Sequence, residues 1–262
     1  MTGQPAGNVR GMVPDLAHDD DGSAPGPASE ATQLVAAVRD RLRTVADPAK
    51  APRMQAYMKS AMPYLGVSSQ PLKVICREVF TAHPLPDRSQ WEWAVRQLWD
   101  GATFREERYA AVALLTHRRY SGYQDEQTLP LYRQLVETGA WWDFIDVIVS
   151  RGVGPILRAA PETVTPLMRS WARDGHLWVR RTAILCQLPS KGETNAALLA
   201  DVVGVNLEGS LYGKEFFIRK AIGWALREYA KTDPGWVLAF VQDNEKGLSP
   251  LSRREALKHL GG

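Results

Sequence analysis

Residues 141–146 read WWDFID and place two tryptophans and two carboxylates within one short segment. On a helix, Trp142 and Asp146 stand one turn apart on the same flank. A carboxylate beside the face of an indole forms a small negative site with a flat π wall, and such a site attracts a cation. The structural alternative is that Asp146 pairs with a basic residue such as Arg181 inside the bundle and that Trp142 belongs to the core.

The remaining residues of this segment indicate how the helix is held. Asp143 lies close to the predicted helix start, where a carboxylate can accept hydrogen bonds from free backbone N–H groups. We therefore predict a capping role for Asp143. The side of the helix that faces the core is predicted to comprise Trp141, Phe144, Ile145 and Ile148.

A second candidate residue lies in HLWVRRTAILCQL, residues 176–188. Helical spacing places Arg181 beside three apolar side chains, those of Ile184, Leu185 and Leu188. Because a lone buried charge is very costly, Arg181 needs a partner. That partner is either a phosphate or a carboxylate, and a structural salt bridge is the commoner case in proteins generally.

The segment KEFFIRKAIGWALREYAK, residues 214–231, contains two distinct helical faces. The predicted core face comprises Ile218, Ala221, Ile222, Ala225 and Tyr229. An adjacent stripe interleaves aromatic and cationic side chains, namely Phe217, Lys220, Trp224, Arg227 and Lys231. One interpretation is a solvated face on which Lys and Arg stems cover neighbouring rings. The other is a nucleic-acid stripe, with cations on phosphates and Trp224 against a sugar or a base.

Helical periodicity continues from about residue 31 onward, and no convincing alternating strand pattern interrupts it. Helix pairs recur roughly every 35 to 45 residues, the range of HEAT and armadillo repeats. We therefore predict an all-α protein that forms a curved solenoid with an extended concave surface. The predicted helical segments, besides 141–146 and 214–232, are 31–46, 53–62, 71–83, 88–100, 104–120, 125–139, 161–175 and 176–188.

Composition and charge narrow the classes of function. Residues 1–30 are rich in Gly, Pro and Asp and are predicted to form a disordered acidic tail, which leaves residues 31–262 as one basic domain. A basic domain suits a polyanionic partner, although many basic proteins bind no nucleic acid. With two cysteines, no secretory signal and no long apolar segment, we expect a cytoplasmic protein that does not enter a membrane. The five scattered histidines form no metal-ligand pattern, so no metal is expected.

Six segments, in order along the chain, are YMKSAMPYLGV, REERYAAVALL, WWDFID, LWVRRTAILCQL, KEFFIRKAIGWALREYAKT and LSPLSRREALKHL. Together they resemble the bacterial AlkD-type DNA alkylation-repair glycosylases, and the resemblance runs from about residue 31 to the C-terminus. What it implies is a right-handed, HEAT-like solenoid that holds duplex DNA in its concave groove. Relatives hydrolyse the N-glycosidic bond of N3- and N7-alkylated purines, leave an abasic site and use no cofactor.

The resemblance also implies roles for individual residues. The catalytic aspartate of the family matches Asp146, and its two active-site tryptophans match Trp142 and Trp224. Its active-site arginine matches Arg181, and a tyrosine near the DNA cleft matches Tyr57. Family members are thought to act without drawing the damaged base into a pocket, unlike most glycosylases.

The chemistry of a cationic purine fits these roles. Such a purine leaves readily, so the main demand is to stabilise an oxocarbenium-like sugar, which a fixed carboxylate such as Asp146 can do. Arg181 is expected to hold a backbone phosphate and to help set Asp146. No lysine is singled out as a Schiff-base nucleophile, so the predicted glycosylase is monofunctional. Contacts to phosphates of the duplex are expected from Lys220, Arg227, Lys231, Arg254 and Lys258.

Two other classes of function stay open at this point. One is a noncatalytic HEAT-repeat module that binds damaged or branched DNA and shares the basic groove. The other is a protein-interaction scaffold, the commonest use of helical repeats, which predicts an apolar or acidic concave face. The preferred lesion is also open among 7-methylguanine, 3-methyladenine and bulkier cationic adducts. An enzyme that wraps DNA in its own groove can act as a monomer, which we expect here.

Overall fold

The computed structural model describes residues 29–260, and within that range the chain is all-helical, with no β-strand. No helix among these residues is long and apolar enough to span a bilayer. The α-helices are α1 Glu30–Thr44, α2 Ala51–Met58, α3 Ser69–Ala82, α4 Arg88–Asp100, α5 Arg105–Leu115, α6 Leu129–Gly139, α7 Trp142–Ile148, α8 Gly154–Ala159, α9 Pro161–Trp171, α10 Leu177–Leu185, α11 Ala196–Gly204, α12 Phe216–Ala230, α13 Pro234–Asp243 and α14 Pro250–Ala256.

The first helix illustrates how the amphipathic segments fold. The Ser29 side chain accepts a hydrogen bond from the Thr32 backbone N–H and thereby caps α1. Its apolar residues recur at helical spacing, and Leu34, Val38 and Leu42 are completely buried. Residues 29 and 30, which were predicted to end the acidic tail, therefore begin the first helix. The rest of that predicted tail lies outside the described residues, as do residues 261 and 262.

Most helix contacts join helices that are one to three positions apart in the chain. Helix α1 contacts α3 and α4, α4 contacts α5, and α9 contacts α11. In the second half of the chain, α10 packs on α12, which in turn forms the most extensive helix contact of the fold with α14. Neighbour-to-neighbour stacking of this kind builds a helical solenoid with one continuous core. The prediction of an all-α solenoid of helical repeats is confirmed.

Four of the described helices, α8, α11, α13 and α14, lie outside the segments that were predicted to be helical, and α11 and α13 show why. Helix α11 reads AALLADVVG and is apolar nearly all round, so its sequence shows little periodicity. Helix α13 opens with Pro234 and Gly235, a pair that usually marks a turn. Asp233 nevertheless caps it by accepting a hydrogen bond from the Trp236 N–H. Burial of their apolar side chains in the solenoid stabilises both helices.

The WWDFID segment forms the short helix α7, whose core side is well buried. Phe144, Ile145 and Ile148 are completely buried, and Trp141 packs partly against the core. The chain continues from α7 through a π-helical turn at Val149–Val153 into α8. Turns of this type are rare and occur frequently at functional sites. Here the turn begins three residues after Asp146, whose backbone carbonyl accepts a hydrogen bond from Ser150 Oγ at 2.7 Å.

Candidate active site

One open cleft, with a volume of about 320 Å³, lies among α7, α10, α12 and α14. The structure brings Trp142, Asp146, Arg181 and Trp224 together there, although they are spread over more than eighty positions of the chain. The complete set of lining residues is Trp142, Asp146, Arg181, Phe216, Phe217, Lys220, Trp224, Arg227 and Glu255.

Asp146 and Arg181 form a nearly buried ion pair. Arg181 Nη2 donates to Asp146 Oδ1 at 2.8 Å and to Oδ2 at 3.1 Å, while Arg181 Nε donates to Oδ1 at 3.1 Å. Arg181 Nη1 donates to the backbone carbonyl of Phe217 at 2.7 Å. The arginine side chain is only 5% exposed, against 19% for the aspartate. The structure therefore shows a carboxylate partner for Arg181, and the expectation that this residue also holds a backbone phosphate stays a prediction.

Burial raises the pKa of Asp146 above the ordinary value of an aspartate, and the charge and hydrogen bonds of Arg181 oppose that shift. The nearby carboxylate of Asp143 raises the pKa slightly further. The ionised form of Asp146 is thus held in a poorly solvated position, where its interaction with a cation in the cleft is stronger than it would be in water.

A buried polar network between α5 and α7 holds the first turn of α7 in place. Arg105 Nη2 donates to Asp143 Oδ1 at 2.8 Å, and the Tyr109 hydroxyl donates to Asp143 Oδ2 at 2.6 Å. The Tyr64 and Tyr109 hydroxyls lie 2.9 Å apart, and the Arg105 guanidinium stacks over the Phe144 ring at 4.2 Å. The predicted capping role of Asp143 is wrong, because this carboxylate binds side chains of α5 instead of free N–H groups of its own helix.

The aromatic walls of the cleft differ from the predicted stripe in one respect. Trp142 is 37% exposed and is not a core residue, while Trp224 is half-buried. Phe217 packs against Trp141 and Trp178, with ring centroids 5.4 and 4.9 Å apart, and it also lines the cleft beside Lys220. Phe216, which was not predicted, lines the cleft as well and is the more exposed of the two rings. Helical spacing contained this signal, because residue 216 precedes Lys220 by four positions.

Three of the five cations that were predicted to bind phosphates already have carboxylate partners. Lys220 Nζ lies 3.1 Å from Glu255 Oε1, and Arg227 Nη1 donates to Glu255 Oε2. Lys231 pairs with Glu228 on the same helix, at 2.6 Å. Glu255 was not identified from the sequence. The available signal was a glycine within α12, because a glycine inside a helical pattern often marks the close approach of another element.

Three other predicted DNA contacts lie outside the lining of this cleft. Tyr57 on α2 is highly exposed and lines a neighbouring apolar cavity of about 430 Å³, to which α7 contributes Val147. Arg254 is an exposed residue of α14, and Lys258 is exposed just beyond the end of that helix. Contacts of these three residues with DNA stay a prediction.

Within residues 29–260, no three side chains of His, Cys, Asp or Glu come together as a metal site. Cys76 and Cys186 are both buried, and burial raises the pKa of each thiol to about 12. Neither thiol has the exposed, electropositive surroundings that a reactive cysteine needs.

Comparison with known proteins assigns the chain to a family. A search of the curated proteins gave no significant match. Among solved structures, the chain is similar to one described as a predicted DNA alkylation repair enzyme from Enterococcus faecalis. The sequences are 29% identical, the TM-score is 0.71, and the match covers 82% of this chain and 97% of the other. The family model for DNA alkylation repair enzymes matches residues 38–260. The chain therefore belongs to the DNA alkylation repair enzyme family and has a role in the repair of alkylated DNA.

Proposed function

We propose that this protein is a monofunctional DNA glycosylase that acts as a monomer on cationic N3- or N7-alkylated purines in duplex DNA. It hydrolyses the N-glycosidic bond and leaves an abasic site. The observation that carries the proposal is the convergence of one carboxylate, Asp146, and two indoles, Trp142 and Trp224, in a single open cleft. A negative group flanked by π faces suits a substrate that is cationic before the reaction and whose sugar becomes cationic during it.

The proposed reaction separates a purine that already carries a positive charge. When the bond between C1′ and the base nitrogen breaks, its electron pair moves to the purine, which leaves as a neutral molecule. The positive charge then develops on the deoxyribose, next to Asp146. Water forms the new C1′–O bond, and the Asp146 carboxylate accepts the proton that the water loses. Because the alkyl group has already activated the base, the reaction requires no cofactor.

The two carboxylate oxygens of Asp146 accept different numbers of hydrogen bonds, and this difference indicates which oxygen faces the substrate. Oδ1 accepts two hydrogen bonds from Arg181, whereas Oδ2 accepts one, at 3.1 Å. Oδ2 therefore keeps more capacity to interact with the sugar and the attacking water. Arg181 acts by orienting this carboxylate, and Trp142 and Trp224 each contribute about 0.5–2 kcal/mol through cation–π contact.

Substitution of Asp146 by Asn tests the catalytic proposal. We expect the release of 7-methylguanine from methylated duplex DNA, measured at saturating enzyme, to fall by at least about 100-fold. DNA affinity should change little, because the phosphate contacts remain. Asp201→Asn is the matched control, since Asp201 also pairs with an arginine, Arg169, at 2.7 Å but is exposed. Circular dichroism establishes that both variants are folded, and near-normal release by Asp146→Asn would contradict the proposal.

A noncatalytic DNA-binding module is the second candidate, because the ion pair between Asp146 and Arg181 could serve the fold alone. This alternative expects the wild-type chain to bind duplex DNA without releasing any methylated base. A chain that binds no DNA would instead favour a protein-interaction scaffold. The monofunctional assignment is tested separately, because borohydride trapping of a covalent adduct with DNA would contradict it.

A further inference from the structure

Glu255 occupies the cleft at the point where two cations of α12 converge. Its Oε1 lies 3.1 Å from Lys220 Nζ, and its Oε2 accepts a hydrogen bond from Arg227 Nη1. The Glu255 side chain is only 17% exposed, so this contact is not a loose pairing at the surface. The same cleft holds Asp146, which means that a ligand of Asp146 passes close to this cluster.

Backbone packing holds Glu255 in this position. At Gly223 of α12, an added Cβ would lie 2.6 Å from Glu255 Cβ and 3.0 Å from the Ser252 carbonyl oxygen. Only a glycine therefore lets α14 approach α12 this closely. Ser252 Oγ also donates to the Arg219 carbonyl at 2.9 Å and fastens the first turn of α14 to α12. The carboxylate is thus presented to the two cations by two helices in fixed contact.

The Glu255 carboxylate offers Lys220 and Arg227 the same kind of charge and oxygen atoms as a DNA backbone phosphate would. It has one negative charge and two oxygen atoms, each of which faces one cation. A DNA phosphate presents a comparable pair of non-bridging oxygens and binds Lys and Arg through the same charge-assisted hydrogen bonds. The hydrogen bond from Lys220 is the main cause of a lowered pKa for Glu255, and nearby positive charges, including Lys258, lower it further. The group therefore stays ionised at neutral pH.

We propose that Glu255 takes the place of a DNA phosphate in the free protein, and that binding of a duplex exchanges Glu255 for a backbone phosphate at Lys220 and Arg227. This inference rests on the DNA-binding part of the proposed function and is independent of the catalytic part. The exchange lowers the affinity for any duplex, because the protein gives up one ion-paired cluster to form another. Glu255 is thereby a specificity-determining residue.

Selectivity arises because damaged DNA compensates for the free-energy cost of displacing Glu255 better than undamaged DNA does. Undamaged duplex brings only its phosphates to the cleft, so it gains little beyond replacing one anion by another. A cationic lesion adds contacts with Asp146 and the indoles of Trp142 and Trp224. The internal carboxylate therefore weakens nonspecific binding to the many undamaged sites that compete for the enzyme.

Substitution of Glu255 by Gln tests the inference by removing the charge and keeping the shape. We expect the dissociation constant for undamaged duplex to fall by roughly fivefold or more, because two ion pairs no longer compete with DNA. The plot of log affinity against log salt should steepen by about 0.9, the contribution of one added phosphate contact. Glu245→Gln is the matched control, because Glu245 pairs with Arg253 at 2.7 Å outside the cleft and carries the same charge.

A double variant distinguishes local competition from a general change in charge. In a Lys220→Gln background, the gain from Glu255→Gln should be clearly smaller, because one of the released cations is missing. The double variant also restores the local charge balance, which provides a folded comparison if the single variant is unstable.

Three outcomes would overturn the inference. They are equal gains in affinity for Glu255→Gln and Glu245→Gln, no gain in affinity for Glu255→Gln, and weaker binding of methylated duplex without tighter binding of undamaged duplex. Base release by the wild-type protein is measured in parallel. Its absence would contradict the proposed glycosylase, whereas an unchanged affinity of Glu255→Gln would contradict only the role of Glu255.

Discussion

Two carboxylates line the same cleft in opposite electrostatic environments. Asp146 has one cationic partner, Arg181, and burial raises its pKa. Glu255 has two cationic partners, and its hydrogen bond with Lys220 is the main cause of its lowered pKa. Both side chains are less than one fifth exposed, at 19% and 17%, so exposure does not separate them. The two carboxylates differ instead in the number of their cationic partners and in how exposed those partners are to solvent.

The difference assigns the two groups to different tasks. A poorly solvated carboxylate with one partner can still stabilise a new positive charge, whereas a carboxylate between two cations is already neutralised. Their contributions to the free energy of unfolding also change in opposite directions as the pH changes. The raised pKa means that the folded state prefers protonated Asp146, so its titration disfavours folding as pH rises through that pKa. The lowered pKa of Glu255 stabilises the fold above its ordinary pKa, and that contribution is lost as pH falls through the lowered value.

The largest expected effect comes from breaking the pair at Asp146. Arg181→Ala leaves a carboxylate in a poorly solvated site without its counter-charge, and we expect the free energy of unfolding to fall by about 3 kcal/mol. Arg169→Ala, which breaks an exposed pair with Asp201, should cost less than about 1 kcal/mol. Urea denaturation measures both values. Similar small losses in the two variants would show that the cleft is more open to water than its burial indicates.

The pH dependence of base release sharpens the comparison. If release requires ionised Asp146, the rate should fall about tenfold per pH unit below a pKa that is raised from the ordinary aspartate value. Glu255 stays ionised to lower pH, so DNA affinity should not follow the same titration. Single-turnover release, corrected for spontaneous depurination, and binding are measured across the same pH series. An acid limb at or below the ordinary aspartate pKa would contradict the assignment.

The smallest effect is expected from moving Glu255 without removing it. Gly223→Ala inserts a methyl group against Glu255 Cβ, and overpacking of this kind costs about 1–2 kcal/mol. Gly204→Ala is the control, because an added Cβ there meets nothing within 4 Å. Thermal unfolding compares the two variants. A loss of stability at position 204 equal to that at position 223 would argue against close packing of α12 on α14.

Periodicity identified most of the helices because the 3.6-residue repeat is local to each segment. The predicted core face of α12 is an example, since Ile218, Ala221, Ile222 and Ala225 are all buried. Phe217 could not be placed in the same way. It lies at the edge of that face, and only its contacts with Trp141 and Trp178 leave it less exposed than Phe216. Helices α11 and α13 were missed because one is nearly uniformly apolar and the other opens with a turn signal.

By itself, the sequence determined the all-helical class, the family, and the residue types that could stabilise a cation, because these depend on side-chain chemistry and on spacing within single helices. Tertiary structure alone decided the partners. Arg181 pairs with Asp146, Asp143 pairs with Arg105, and Glu255 pairs with Lys220. The partners in each pair are 35 or more residues apart in the sequence. A charge pairs with whatever opposite charge the packed helices bring within a few ångströms of it, and helical periodicity contains no information about that distance.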